Sequence, residues 1–190
     1  FMSRLKKITS LFYFIAGFLV AVILFFTYSY IYLFSSEFNS KNYDEQLIRL
    51  GKESISSKDV PVASIIIYDG KVIGEGKNDV LKNNNPSGHA EINALKDCFE
   101  KIGVEEFKKL DRDKLILLTT FEPCTMCRGA IQEYNIKKVV FGYPKGIKDK
   151  FNYLKKDFRY FWNLNQSNNK RLQYDLFKLH PTFDSTAVPY

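Results

Sequence analysis

A long run of apolar positions without a charged side chain, residues 8–34, marks the first part of the chain. About 20 consecutive apolar residues cross a bilayer core as a helix, so this run predicts one N-terminal transmembrane helix. Tyr28, Tyr30 and Tyr32 end the run with side chains typical of a membrane interface. A cleaved signal peptide is the alternative, but its apolar core is only about 7 to 15 residues long. We therefore expect a retained, single-pass anchor and a membrane localisation, with the bilayer as a partner.

The charges near this run bear on its orientation. Arg4, Lys6 and Lys7 precede it, and basic residues are enriched on the cytoplasmic side of a span, which favours an inside N-terminus. That orientation places the rest of the chain outside the cytoplasm, whereas free thiols favour the reducing side of a membrane. The sequence leaves the membrane face open.

Helical and strand-like patterns alternate after a Ser- and Asn-rich linker. Asp69-Gly70 separates the first two apolar runs and is a turn signal for a hairpin. Strands alternating with helices predict an α/β fold with three α/β/α layers around a mixed central sheet, which begins with the antiparallel hairpin. The patterns predict helices over 43–57, 92–102 and 125–134, and strands over 62–68, 71–76, 115–120 and 137–143.

The pattern weakens beyond Gly142. Residues 148–161 have helical spacing, and Leu172, Tyr174 and Leu176 alternate as a fifth strand would. We divide the chain into an N-terminal tail and transmembrane helix, a linker with the first helix of the soluble domain, a core domain and a C-terminal segment. Their bounds are 1–34, 35–60, 61–143 and 144–190.

Charge and cysteine content limit the functional classes. Arg4, Lys6 and Lys7 account for three of the seven net positive charges, which leaves a mild surplus of four on the rest. A surplus of this size suits a phosphate-bearing substrate without identifying a nucleic-acid binder. The three cysteines do not form the even set of a disulfide framework. Whether the chain forms a homo-oligomer stays open.

Two short motifs carry the candidate chemistry. His89-Ala90-Glu91 opens one predicted helix, and Pro123-Cys124-Thr125-Met126-Cys127 opens another. One imidazole and two thiolates fill three positions of a tetrahedral Zn²⁺ and leave the fourth for water, which is the arrangement of catalytic zinc. Glu91 is then free to move protons. H-x-E followed by P-C-x-x-C is the signature of zinc-dependent deaminases.

A structural zinc site without catalysis is the alternative, and it needs a fourth protein ligand. Cys98 is the remaining thiol, but it lies nine residues after His89 on the same predicted helix. That spacing corresponds to about 13 Å along the helix axis, too far to share an ion. We interpret Cys98 as a buried apolar residue of the core.

Over residues 61–143 the chain resembles the cytidine deaminase-like superfamily, and most closely its branch of tRNA adenosine, guanine and related nucleoside deaminases. The resemblance implies Zn²⁺ as the cofactor, His89, Cys124 and Cys127 as its ligands, and Glu91 as the catalytic acid and base. It also implies that Asn78 contacts the polar edge of a base and that the backbone of Ala90 binds a ring atom. The resemblance rests on four blocks: Val72–Asn78, Asn85–Leu95, Glu122–Ile131 and Val139–Gly142.

Three functions remain in competition at this stage. The first is deamination of a free base, nucleoside or nucleotide, with purines slightly favoured because the blocks look most like the adenine and guanine enzymes. The second is deamination of a base within RNA or single-stranded DNA. The branch usually has Asp at Asn85, and its tRNA enzymes end differently from the Lys- and aromatic-rich 145–159. Basic and aromatic residues of that segment could bind a single strand. An amphipathic helix with solvated lysines is the favoured interpretation, and a membrane tether suits tRNA poorly, so a nucleic acid is not favoured. The third is a membrane-tethered, non-catalytic zinc module, against which Glu91 argues.

Overall fold

A computed structural model describes residues 2–34, 38–164 and 172–179, with side chains described in all of these except 2–11, 29–34 and 172–174. Two compact units result, Phe1–Gly142 and Tyr143–Tyr190. The four-segment division expected from the sequence stays a prediction. The elements in chain order are α1 (Met2–Phe34), a 3-10 turn (Lys41–Tyr43), α2 (Asp44–Ser56), β1 (Ala63–Tyr68), β2 (Lys71–Lys77), α3 (Ala90–Ile102), α4 (Val104–Lys109), β3 (Leu115–Phe121), α5 (Thr125–Glu133), β4 (Lys138–Tyr143), α6 (Ile147–Trp162) and α7 (Leu172–Lys178).

The first unit is built on a four-stranded sheet in the order β2-β1-β3-β4. β1 pairs antiparallel with both β2 and β3. Asp69 and Gly70 join β1 to β2 with φ values of 49° and 78°, and two positive φ values are typical of the turn that closes a two-residue hairpin. A helix, α5, connects β3 to its neighbour β4, as parallel neighbours require. The predicted hairpin and mixed sheet are confirmed.

Helices cover both faces of this sheet. Side chains of β1 alternate between the two faces, and each face contributes to its own buried cluster with residues of the helices. Ile66 belongs to one cluster, and Ile65 and Ile67 belong to the other. The three-layer arrangement expected from the sequence is therefore confirmed. The first cluster contains Ile66, Ala94, Leu95, Cys98, Phe107, Leu115, Leu117, Ile131 and Ile136. The second contains Leu47, Leu50, Ala63, Ile65, Ile67 and Leu118.

Two glycines of β2 allow α3 to approach the strand closely. A Cβ on Gly74 would lie 2.5 Å from the carbonyl oxygen of Ala94 and 2.7 Å from the Cβ of Cys98. A Cβ on Gly76 would clash with the backbone of Ala90 and Ala94. Since α3 carries the His-x-Glu motif at its start, these glycines set how near the motif lies to the end of β2.

The predicted membrane anchor requires correction. The N-terminal run does form a helix, α1, but within the described part of the chain no helix is both long and apolar enough to cross a membrane. By this criterion the predictions of a transmembrane helix, a bilayer partner through residues 8–34 and membrane localisation are wrong.

The second unit contains α6 and α7. α6 confirms the helix predicted over 148–161 and carries Phe151, Leu154 and Phe158 at helical spacing. The predicted fifth strand through Leu172–Leu176 is wrong, because these residues lie in α7. Five residues with alternating apolar positions fit either structure. Asp175 and Lys178 form an ion pair of 3.7 Å at the i,i+3 spacing that stabilises helices.

Candidate active site

The two motifs meet because each lies at the start of a helix that packs on the sheet. His89 is the residue before α3, and Cys124 is the residue before α5. Both have extended backbone conformations, with ψ of 150° and 175°. Free N–H groups give a helix N-terminus a partial positive charge, which stabilises thiolates placed there.

The distances within the His/Cys/Cys group fit tetrahedral zinc. The sulfurs of Cys124 and Cys127 each lie 3.5 Å from Nδ1 of His89, and 3.6 Å from each other. Ideal Zn–S and Zn–N bonds with tetrahedral angles place two sulfurs about 3.8 Å apart and a sulfur and a nitrogen about 3.6 Å apart. The donor set and its spacing therefore suit Zn²⁺, with no rearrangement of the three side chains.

The two thiols are electrostatically coupled. Contact with the sulfur of Cys127 is the largest influence on Cys124 and outweighs burial, lowering the pKa of Cys124 to about 4. The same contact, together with burial, raises the pKa of Cys127. The first thiolate of this pair therefore forms more readily than the second. A bound dication favours the thiolate form of both residues, so metal binding releases protons.

Glu91 adds a carboxylate beside the group. Its side chain is only 4% exposed, and its Oε2 lies 3.5 Å from the sulfur of Cys127. Burial raises the pKa of Glu91 above its ordinary value, against smaller opposing effects of its own N–H and of Cys127. Among the described residues, the group with ligand atoms within 4.8 Å of one another consists of His89, Cys124 and Cys127, without Glu91.

Cys98 does not supply a fourth ligand. Its side chain is fully buried in the first core cluster, and burial raises the pKa of its thiol to about 11. The interpretation of Cys98 as a core residue is therefore confirmed. A closed Cys₃His site is excluded by this position.

The two predicted substrate contacts lie at the end of β2 and at the start of α3. Asn78 follows the last residue of β2 and is 8% exposed. Its Oδ1 accepts a bond from the N–H of Val80 at 3.3 Å. Ala90 is the first residue of α3 and is fully buried. Its N–H is one of the four at a helix start that have no partner within the helix.

Sequence reasoning missed two polar residues, Asn93 and Asp79, that connect the end of β2 to α3. Nδ2 of Asn93 donates to the carbonyl oxygen of Lys77 at 2.8 Å and to Oδ1 of Asp79 at 2.9 Å. The available signal was the position of Asn93 within Asn85–Leu95, one helical turn after His89. A polar residue at that position is usually read as part of a solvent-exposed face.

Comparison with protein families identifies this arrangement. Residues 39–143 match the model of the cytidine and deoxycytidylate deaminase zinc-binding region. The chain belongs to this family. The His/Cys/Cys group and the family's zinc-binding region together establish Zn²⁺ as the cofactor.

Individual relatives of this deaminase-family chain are more distant. It is 31% identical over 105 residues to tRNA-specific adenosine deaminase 2 of Xenopus tropicalis, a match covering 54% of this chain and 61% of the relative. It is 37% identical over 81 residues to guanine deaminase of Bacillus subtilis, covering 43% and 49%. The chain therefore spans less than two thirds of the length of these relatives.

A solved structure supports the fold alone. The X-ray structure of guanine deaminase from Bacillus subtilis resembles this chain with a TM-score of 0.57 and 23% identity, over 76% of this chain and 97% of that one. The cytidine deaminase-like fold expected from the sequence is thus confirmed.

Proposed function

We propose that the protein is a zinc-dependent hydrolytic deaminase acting on a nucleobase-containing small molecule, namely a free base, nucleoside or nucleotide. One observation carries the proposal: a buried carboxylate, Glu91, lies beside a His/Cys/Cys group to which it does not belong. Three protein ligands leave one position of a tetrahedral ion for water or substrate. A purely structural zinc site has no need of an adjacent carboxylate.

Each side chain has a separate role in the proposed reaction. His89, Cys124 and Cys127 hold the ion, and bound Zn²⁺ acts as a Lewis acid that makes water nucleophilic near neutral pH. Glu91 accepts a proton from the attacking water and donates one to the ring nitrogen beside the amino-bearing carbon. A C–O bond forms at that carbon, and Glu91 then takes the remaining proton of the added hydroxyl group and delivers it to the exocyclic nitrogen as the C–N bond breaks and a carbonyl forms. One water is consumed and one ammonia is released.

The surroundings of Glu91 support this role. Proton transfer is most efficient when the pKa of the catalytic group lies near the working pH. Burial raises the pKa of Glu91, so this pKa lies closer to neutral pH than that of an exposed glutamate.

Substrate recognition is proposed to involve Asn78 and Ala90. Among the described residues, Nδ2 of Asn78 has no hydrogen-bond partner, so this buried amide can donate to a base edge. The N–H of Ala90, at the start of α3, can donate to a ring atom of the base. Purines are slightly favoured because the chain is similar to both a tRNA-specific adenosine deaminase and a guanine deaminase.

A second candidate is deamination of adenosine or cytidine within RNA or single-stranded DNA. The similarity to tRNA-specific adenosine deaminases favours it. Salt separates the two candidates, since binding through phosphate contacts weakens steeply as salt rises, whereas binding of a small neutral ligand does not.

The experiment that tests the proposal is ammonia release by the zinc-loaded full chain over bases, nucleosides, nucleotides and short RNA and DNA strands. Release from one or more small molecules, with little change between 50 and 200 mM salt, is expected. Release confined to RNA or DNA strands and lost at the higher salt would replace the first candidate by the second. Silence over the whole panel from a folded, zinc-loaded chain would favour a non-catalytic zinc-binding module.

A further inference from the structure

One carboxamide joins the end of β2 to the first turns of α3. Nδ2 of Asn93 donates at once to the carbonyl oxygen of Lys77, at 2.8 Å, and to Oδ1 of Asp79, at 2.9 Å. An NH₂ group has two donors, and both are used here. Lys77 and Asp79 flank Asn78, so Asn93 attaches the segment that carries the proposed substrate amide.

The other end of this connection lies in the turn that carries the reactive groups. The backbone N–H of Asn93 donates to the carbonyl oxygen of His89 at 2.9 Å, which places Asn93 one turn after the metal-binding histidine. Glu91 lies between them in the same turn. The positions of Asn78 and Glu91 are therefore linked through a single side chain.

Asp79 extends the connection to the loop before His89. Its N–H donates to the carbonyl oxygen of Gly88 at 2.9 Å, and its Oδ2 accepts a bond from Nδ2 of Asn83 at 2.6 Å. Gly88 packs so closely on the Asp79 carboxylate that a Cβ would clash with it. The loop from 79 to 88 thus closes on Asp79 and leads directly into His89.

From these contacts we infer that Asn93 and Asp79 are positioning residues that hold Asn78 in register with Glu91. The inference rests on the proposed function, in which Asn78 binds the base and Glu91 transfers the protons. Neither Asn93 nor Asp79 touches the substrate in this account. Their removal displaces the bound base relative to the carboxylate, and a misplacement of about 1 Å can reduce turnover by about 100-fold.

The chain offers a matched control on the same strand and helix. Oδ2 of Asp97 accepts a bond from the backbone N–H of Glu75 at 2.8 Å, so Asp97 also connects α3 to β2. It lies one turn further from the motif than Asn93. Loss of Asp97 removes a similar connection without touching Lys77–Asp79. A merely structural role of Asn93 would make the two substitutions equivalent.

The test compares Asn93→Ala, Asp79→Ala and Asp97→Ala in the full chain. Zinc content, melting temperature, hydrogen exchange of the segment 78–88, and kcat and KM on the best substrate of the wild-type protein are measured. Asn93→Ala and Asp79→Ala should keep zinc, exchange faster in 78–88 and lose about 10- to 100-fold in kcat/KM. Asp97→Ala should keep kcat/KM within about twofold of the wild-type value and leave hydrogen exchange in 78–88 unchanged. Its melting temperature should nevertheless be no higher than that of Asn93→Ala.

A charge swap provides a second test that does not depend on alanine variants folding. Asn93→Asp alone places two carboxylates against each other and should lower kcat/KM as far as Asn93→Ala does. Adding Asp79→Asn supplies an amide donor to the new carboxylate and should recover part of the loss. Absence of any recovery in a folded, zinc-loaded double variant would count against the Asp79–Asn93 bond as the positioning contact.

Failure of the inference is distinguishable from failure of the proposed function. An active wild-type protein with Asn93→Ala indistinguishable from Asp97→Ala overturns the inference alone, and so does loss of zinc from Asn93→Ala. A wild-type protein that is silent on every substrate removes the proposed function. The exchange comparison then decides the structural connection: faster exchange of 78–88 confined to the Asn93 and Asp79 variants upholds it, and equal exchange overturns it.

Discussion

The carboxylate of Glu91 lies 3.5 Å from the sulfur of Cys127, although the two residues are 36 positions apart in the chain. Glu91 belongs to α3 and Cys127 to α5, and each helix follows a different strand of the sheet. Their proximity therefore depends on how α3 and α5 pack, and not on either motif alone.

The metal group predicts a difference among the three cysteines. Cys124→Ser and Cys127→Ser should each lose zinc, since the thiolate and not the hydroxyl is the preferred ligand. Zinc content by elemental analysis and melting with and without added zinc measure the effect. Metal present at 100 times its Kd stabilises a folded chain by about 2.7 kcal/mol, and these variants should lack that increment.

Cys98→Ala is the matched control for the ligand variants. Cys98 is buried in the core, so its truncation should cost about 1 kcal/mol of stability and leave the zinc content unchanged. Loss of zinc from Cys98→Ala, or its retention by Cys127→Ser, would contradict the assignment of the ligands.

Substitution by alanine should have opposite effects at Gly76, where β2 packs closely on α3, and at Gly129 in α5. Gly76→Ala places a Cβ against the backbone of Ala90 and Ala94, where no flexible side chain can yield. We expect a loss of about 1–3 kcal/mol and lower turnover, because α3 must move away from the strand. Chemical denaturation and ammonia release measure the two effects.

Gly129→Ala is the control, because a Cβ on Gly129 in α5 meets no atom within 4 Å. This change should stabilise the chain by up to about 1 kcal/mol through helix propensity. Equal destabilisation by the two substitutions would show that the approach of β2 to α3 is not under steric control.

Asp59 gives a prediction on pH. Its carboxylate, 5% exposed, accepts bonds from the N–H groups of Leu81 at 2.6 Å and Lys82 at 3.2 Å, and from the hydroxyl of Ser57 at 2.9 Å. Burial disfavours the charged form, but these bonds outweigh it and hold the pKa of Asp59 below its ordinary value of 3.8. A carboxyl group with a lowered pKa in the folded chain contributes stability above its unfolded pKa, and this is lost as pH falls through the folded value.

Asp59→Asn should accordingly lower the melting temperature at pH 7, and the difference from the wild-type chain should shrink as pH falls below about 4. Thermal denaturation of both proteins over this range measures it. A difference that stays constant down to the lowest accessible pH would show that the charge of Asp59 is not what supports the loop after β2.

Local features explain how much of the fold the sequence predicted. The Asp69-Gly70 turn, the β-branched run of β1 and the two helix-opening motifs are each contained within a few neighbouring residues. The alternation at Leu172–Leu176 was equally local but too short to separate strand from helix. The short helix α4 was missed because Phe107 is its buried residue, and a single apolar position shows no helical repeat along the chain.

Contacts between distant residues explain the rest. The ligand residues of the site were recognisable as motifs, but the pairing of Asn93 with Asp79 requires β2 to lie on α3 at glycine distance. No pattern along the chain indicates that an amide in a helix will contact a residue 14 positions earlier. The N-terminal run indicated a helix correctly, while the inference from apolarity to a membrane span was not upheld.

The central claim is that Glu91 transfers protons at a zinc site that it does not help to hold. Glu91→Gln keeps the size and hydrogen-bonding capacity of the side chain but removes the group that accepts a proton. Zinc content and ammonia release, measured side by side on this variant and the wild-type chain, test the claim most directly. The account predicts full zinc occupancy with turnover reduced at least about 100-fold. Loss of zinc from the variant, or turnover equal to that of the wild-type chain, would contradict it.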